Sequence, residues 1–185
     1  LYVLYRVLND GKPRSILETG LGQSTRMIAQ YAAAHAGTEH TVVEHDATWI
    51  RFFGESFALP PSTQVAHLPL TKTWRYGEDA EIVAYEGFGE RFRGRKFDLI
   101  SLDGPFGFMA KTYARADILP LIPECLAESF VILIDDFERE GERATVAELT
   151  RILRERGVAF REATYSGIKQ MRIIVSPDKK FLCSL

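Results

Sequence analysis

The sequence predicts a three-layer α/β domain: a mainly parallel seven-stranded sheet with helices on both faces and an antiparallel hairpin at its end. Three observations carry that prediction. Short β-like apolar runs alternate with longer helical ones. Ser129-Phe130-Val131-Ile132-Leu133-Ile134 is an unbroken apolar run, as expected of a strand buried on both faces. The last two strand-like runs have no helix between them. The 185 residues suit one domain, 1–185, and are too few for two ordinary ones. Within it, residues 1–14 read as an N-terminal helix and linker, the remnant of a longer N-terminal segment.

Taken in order, Leu1 to Leu8 reads as a helix, ended by Asn9-Asp10-Gly11 and Pro13. Ser15 to Thr19 reads as the first strand. A glycine-containing turn follows, then a helix from about Ser24 to His35, rich in Ala and Met. Thr41 to Glu44 is the second strand and Ala47 to Phe57 a helix. Gln64 to Leu68 is a weaker third strand. Glu78 to Phe92 has helical periodicity interrupted by Gly87 and Gly89. Phe97 to Leu102 is the fourth strand and Ser129 to Ile134 the fifth. Glu142 to Arg156 is an amphipathic helix, with Val146, Leu149, Ile152 and Leu153 on one side, and it stops at Gly157. Val158 to Tyr165 and Gln170 to Ser176 close the chain as a hairpin turning near Ser166-Gly167.

Composition excludes some classes. Hydrophobic residues make up 46% of the chain, so a sizeable core can form and global disorder is not expected. A net charge of -2 and a pI near 6.1 argue against a nucleic-acid partner. The local cluster Arg91, Arg93, Arg95 and Lys96 reads as a solvated stretch before a strand. Cys125 and Cys183 form neither a CxxC pair nor a metal-ligand spacing, as expected in a reducing compartment. No apolar run approaches the roughly 20 residues that span a bilayer, so no membrane association is expected and the location expected is cytoplasmic. Oligomeric state is not legible.

In open parallel sheets, ligands bind at the carboxyl ends of the strands, where strand order reverses. The first strand runs into Glu18-Thr19-Gly20-Leu21-Gly22-Gln23-Ser24-Thr25. Gly20 and Gly22 let the backbone turn sharply and approach a ligand. The next helix then offers free N–H groups to an anion. A dinucleotide fingerprint wants a third glycine, and Thr25 stands there instead. Glu18 beside a pyrophosphate would repel it, but it suits the α-ammonium of S-adenosylmethionine. Glu44 closes the second strand, where a carboxylate can accept from both ribose hydroxyls. Either cofactor would use Glu44; Glu18 and the missing glycine favour S-adenosylmethionine. Simple turn chemistry is the alternative for the glycines.

With those residues in view, the sequence resembles class I (Rossmann-like) S-adenosylmethionine-dependent methyltransferases. Leu17 to Thr25 looks like their first motif and Val43-Glu44-His45-Asp46 like their second. Phe97 to Asp103 and Val131 to Asp136 are similar to their fourth and fifth strand signatures. The resemblance implies a cofactor site of Glu18, Thr19, Gly20, Leu21, Gly22, Ser24, Thr25, Glu44 and His45. It also implies that adenine lies near His45 and the segment from His67 to Leu70. For His45, packing against adenine and ordinary exposure remain alternatives.

Methyl transfer to a hydroxyl needs the acceptor held in line and its proton removed by a base or with help from a metal ion. Asp103 ends the fourth strand; Asp135 and Asp136 end the fifth. Asp103 and Asp135 are the catalytic candidates. The three together form a hard oxygen set for Mg²⁺ or another divalent cation. That option resembles the cation-dependent O-methyltransferases of the catechol and caffeoyl type, from which this chain departs by Asp-Asp in place of Asp-Asn and by Gly104-Pro105. Capping a turn is the alternative role for Asp135 or Asp136. The segments Glu44 to Ile50, Asp98 to Gly107 and Asp135 to Arg139 are similar to plant glucuronoxylan O-methyltransferases, which implies a glycan hydroxyl as acceptor beside the small-molecule reading. Tyr113, Arg115, Asp117, Arg139 and Arg143 are assigned no role. Trp49, Phe52, Phe53 and Phe57 read as core. Two rival functions stay open: a non-catalytic cofactor-binding module of this fold, and an NAD-dependent oxidoreductase, against which the missing third turn glycine speaks.

Overall fold

A computed structural model describes residues 1–76, 80–107 and 112–184. Its centre is a seven-stranded sheet ordered β3-β2-β1-β6-β7-β9-β8. The strands are β1 (Ser15–Thr19), β2 (Glu39–Glu44), β3 (Thr63–His67), β6 (Phe97–Leu102), β7 (Leu126–Ile134), β8 (Arg161–Ser166) and β9 (Gln170–Val175). Five of them pair in parallel, from β3 through β7; β9 runs antiparallel to β7, and β8 antiparallel to β9. The direction of strand addition reverses at β1, which lies between β2 and β6.

Register decides where the chemistry can gather. Thr19 lies level with Val43 on one side and Leu102 on the other, and Leu102 lies level with Ile134. Gly20, Glu44, Asp103 and Asp135 are therefore the next residues out along one edge of the sheet. Backbone hydrogen bonds hold that row together: Gly20 N–H to the Val43 carbonyl at 2.9 Å, Asp103 N–H to Thr19 at 3.0 Å and Asp135 N–H to Leu102 at 3.1 Å.

Alternation along the strands builds the two outer layers. Leu17, Ile100, Ile132 and Ile134 face α4 (Phe88–Phe92), α5 (Glu140–Glu155) and the 3₁₀ turn Ala116–Leu121, and meet Phe88, Phe92, Val146, Leu149 and Ile118 in one core. Ile16, Leu99, Val131 and Leu133 face the other way, onto Leu4, Val7 and Leu8 of the first helix and Ile28 of α2 (Gln23–Ala34). Further along that face, α3 (Ala47–Ser56) sets Phe53 against Leu21 and Val42. At about 1.5–3 kcal/mol for each fully buried large apolar side chain, these two layers supply the main driving force for the sheet's closure. No helix among the described residues is long and apolar enough to cross a membrane.

Three readings change. Glu78 to Phe92 is not one helix. Residues 78–79 lie outside the described residues, and the rest forms strand β5 (Ala80–Tyr85), paired antiparallel with β4 (Leu70–Tyr76), followed by the short α4. Ile82 and Ala84 are buried while Val83 between them is exposed, a period of two. The first helix, α1 (Tyr2–Arg6), widens into a π-turn from Val7 to Gly11, stapled by an Arg6–Asp10 ion pair at 2.7 Å, and stops at Lys12 in the left-handed region. Of the aromatic residues on α3, Phe53 is buried, but Trp49 and Phe52 are exposed and stack on each other.

Candidate functional site

The acid at the end of β2 organises the glycine turn. Glu44 Oε2 accepts the Leu21 N–H at 3.0 Å, and Oε1 accepts the N–H groups of His45 and Asp46 at 2.7 and 2.9 Å. Trp49 adds a second clamp, its indole N–H donating to the Leu21 carbonyl at 2.7 Å. Asp46 caps α3 by accepting from Thr48 and Trp49, and those bonds hold its carboxyl below the usual carboxylate range. A carboxylate offers about four acceptor positions. Three backbone donors use most of Glu44's, and the remaining capacity is on Oε2. His45 stands beside it, its Nδ1 2.8 Å from Glu44 Oε1 and its ring edge-on to Phe106 at 5.0 Å. His67 Nε2 lies 3.0 Å from the His45 carbonyl.

Glu18 does not lie where the sequence reading puts it. Its side chain has no exposed surface. Oε2 lies 3.1 Å from His40 Nε2, His40 Nδ1 lies 3.2 Å from Thr63 Oγ1, and Oε1 has no hydrogen-bond partner among the described residues. The residue sits on the strand face beneath the turn, next to β2, so it braces the turn from behind. Thr19 and Thr25 are likewise spent internally. The Thr19 hydroxyl donates to the Gly104 carbonyl at 2.9 Å and accepts the Gly104 N–H at 3.3 Å. The Thr25 hydroxyl accepts the Gly22 N–H at 2.9 Å.

The glycines differ from one another. Gly20 has φ +90°, and a Cβ on it would lie 3.0 Å from the Asp103 backbone. A Cβ on Gly104 would meet the Tyr85 hydroxyl at 2.4 Å and Gly20 N at 2.8 Å. The turns after β1 and β6 therefore touch backbone to backbone. Gly22 is extended, and a Cβ there would meet nothing within 4 Å. It opens outward where α2 begins, with Ser24 half-buried beside it. Tyr85, unnoticed in the sequence, is buried against this junction with its hydroxyl unpartnered among the described residues; burial first, then Glu44 and Asp117, raises its pKa far above the ordinary phenol value.

The residue most underrated by sequence is Arg115. It is 3% exposed, its backbone is left-handed at φ +58°, and its guanidinium ties the ends of β6 and β7 together. Nη1 donates to the carbonyls of Leu102 and Asp135 at 3.3 and 2.8 Å, and Nη2 reaches Asp136 Oδ2 at 2.6 Å and Asp103 Oδ1 at 3.1 Å. Nε lies 3.5 Å from Glu142, a wholly buried carboxylate on α5. Burial raises the Glu142 pKa, with Arg115 opposing. Burial pushes the same way on Asp136, but hydrogen bonds from Lys169 and Arg115 win and lower it. Asp136 has φ +55°, which Asp tolerates better than most residues.

Asp103 and Asp135 open onto a hollow of about 770 Å³. Its other walls are Gln23 and Ser24 of α2, Ser101, residues 1–4, and the β8–β9 turn with Ile168 and Lys169. The lining stops at Ser24 on the side of the glycine turn and does not include Glu44 or His45. Although 42% of its side chain is exposed, Asp103 faces this hollow rather than open solvent. Partial burial pushes its carboxyl up to about 6; Arg115 opposes the rise, and Asp135 and Asp136 add to it.

The metal reading meets an obstacle. Ligand oxygens of Asp103, Asp135 and Asp136 do lie within 4.8 Å of one another. Yet Asp136 Oδ1 is 2.6 Å from Lys169 Nζ, and Oδ2 is 2.6 Å from Arg115 and 2.7 Å from Arg139. Both oxygens are taken by cationic side chains, so this set does not fit a divalent ion as it stands.

The fold, with its strand order and terminal hairpin, is that of class I (Rossmann-like) methyltransferases. No protein-family model matches the chain, and no curated protein matches it in sequence. Solved structures do. A Staphylococcus aureus protein described as a candidate caffeoyl-CoA O-methyltransferase superposes with TM-score 0.61 at 13% identity, over 95% of this chain and 81% of that one. An O-methyltransferase from Bacillus cereus in complex with S-adenosylhomocysteine gives 0.60 at 17%, over 95% and 79%. An S-adenosylhomocysteine-bound methyltransferase from Podospora anserina gives 0.55 at 15%, over 94% and 75%. At such identities the likeness establishes the fold.

Proposed function

We propose that this chain is an S-adenosylmethionine-dependent methyltransferase that acts on a hydroxyl of a small organic acceptor. The observation that carries the reading is the row at the sheet edge: the Gly20–Gly22 turn, Glu44 and Asp103 lie side by side where the order of strand addition reverses, next to a hollow large enough for an acceptor. The solved S-adenosylhomocysteine complexes of this fold support the choice of cofactor.

The turn fits such a cofactor. Gly22 is open on its outer side, and α2 begins there, where the first turn of a helix offers N–H groups to a carboxylate. Glu44 would hold the ribose, while His45 and Phe106 present ring edges and faces for adenine. Leu21, Gly20 and Thr19 shape the turn, Ser24 borders the reacting side, and Glu18 and Thr25 brace it. When bound, the cofactor supplies a methyl group on positively charged sulfur. The chain's own task is to hold the acceptor oxygen and take its proton. Asp103, ionised above pH 6, is the base, and Asp135 is the second carboxylate facing the acceptor.

Apolar walls from Leu1, Tyr2, Leu4, Ile168 and Met171 favour a compact, partly apolar acceptor over a glycan. Calorimetric titration with S-adenosylhomocysteine and with NAD tests the cofactor. Binding of the first and not the second is expected, weakened at least tenfold in Glu44→Ala; a wild-type protein indifferent to S-adenosylhomocysteine overturns the reading. Methyl transfer assayed on phenolic and uronic-acid acceptors in parallel tests the acceptor class.

A further inference from the structure

The acids after β6 and β7 have found their counter-charge within the chain. Asp103, Asp135, Asp136 and Glu142 bring four negative charges. Among the described residues, Arg115, Arg139 and Lys169 bring three positive ones, all within 4 Å of those carboxylates, leaving a formal -1 there. Two of the cations are backing. Arg115 is buried behind the strand ends and Arg139 comes from the start of α5. Lys169 is different. It reaches over from the β8–β9 turn, sets Nζ 2.6 Å from Asp136 Oδ1 and 3.7 Å from Asp135 Oδ2, and forms part of the hollow's wall. Half of its side chain stays exposed. An ammonium has three N–H donors, and the Asp136 bond uses one.

We propose that Lys169 does in this chain the work of a divalent cation. Its ammonium fills the place between Asp135 and Asp136 where an ion would bind, and it turns its remaining donors toward the acceptor oxygen. A hard ion needs those same oxygens as ligands, at about 2.0–2.6 Å, and it cannot share them with a fixed positive charge. A lysine in that place keeps a positive charge beside the oxygen as its proton leaves for Asp103. The role toward the acceptor rests on the methyl-transfer reading; the exclusion of an ion does not.

Titration with Mn²⁺, followed by electron paramagnetic resonance of the free ion, separates the two. Wild-type protein should bind no stoichiometric Mn²⁺ up to millimolar concentrations. Lys169→Ala should bind one per chain at least tenfold more tightly, Lys169→Arg should behave as wild type, and Asp136→Asn added to Lys169→Ala should abolish the new site. Lys169→Met serves as a second opening variant should the alanine form melt early. Stoichiometric binding to wild type that is lost in Asp135→Asn overturns the proposal. So does failure of both Lys169→Ala and Lys169→Met, correctly folded by circular dichroism, to gain the ion. S-adenosylhomocysteine titrated into the same samples reads the cofactor independently. Failure there alongside the expected Mn²⁺ pattern counts against methyl transfer alone.

Discussion

Arg115→Met removes the guanidinium and keeps most of the side chain's length. Two backbone carbonyls, at the ends of β6 and β7, lose a charged donor. Asp136 keeps Arg139 and Lys169, so its loss is partial. Glu142 is hit hardest: it has no exposed surface, and among the described residues its nearest remaining cation is Arg139 at 3.7 Å. Removing one partner of a buried pair costs about 3–5 kcal/mol, because the other is left uncompensated. In a domain of this size each kcal/mol moves Tm by about 2–4 °C, so a fall of roughly 6–20 °C is expected by differential scanning calorimetry. Arg115→Lys should fall in between, because a point charge cannot reach both strand ends at once. The sign with pH follows from the same charges. Arg115 holds the Glu142 pKa down against burial, so without it the folded pKa rises further, and acidification relieves the variant. Its deficit against wild type should narrow between pH 7 and 5. A Tm within 2 °C of wild type, or a deficit that does not narrow, would refute the account of Arg115 as the tie between the two strands.

Other consequences are quicker to state. Asp103, with its carboxyl at about 6, is protonated below that pH and cannot act as a base, so kcat/KM should fall tenfold per pH unit below 6 and level off above it in a pH–rate profile. Because its raised pKa means the charged form is disfavoured in the folded state, Asp103→Asn should lose activity with Tm at pH 8 unchanged or higher. Gly20→Ala forces a Cβ into the left-handed region and onto the Asp103 backbone at 3.0 Å, and should cost at least about 1–2 kcal/mol in urea unfolding, whereas Gly22→Ala should fold normally. A large stability loss in Gly22→Ala would refute that contrast. His40→Ala strips Glu18 of its one side-chain partner among the described residues and should cost about 1–3 kcal/mol, while His40→Gln recovers part of it.

The sheet was legible because its strands advertise themselves. The strands expected at Ser15–Thr19 and Phe97–Leu102 agree with the observed ones residue for residue, since each is a short apolar run bounded by turn formers. The β4–β5 pair was missed because Gly87, Gly89 and the charged residues nearby blur a period of two into one near four. The row of Gly20, Glu44, Asp103 and Asp135 was readable because every parallel strand's last residue points to the same edge. The partners were not. Nothing local in Tyr113-Ala114-Arg115 says that Arg115 will be buried between two strands, and Lys169 approaches Asp136 only through tertiary structure. Glu18 shows the opposite error: motif position implied a ligand contact, but strand alternation turned the carboxylate toward His40.

The reversed direction of β9 has a consequence for what the chain's tail can contribute. Arg172 lies level with Ile134, so residues preceding it project past the sheet edge at which β7 ends. Had the last strand run the same way as its neighbour, that overhang would have come from residues following Val175, and the turn bearing Ile168 and Lys169 would sit at the far rim. Inverting one strand thus lets a short surface bend be revised, through one or two substitutions, to change what greets the incoming molecule, while the buried framework stays untouched.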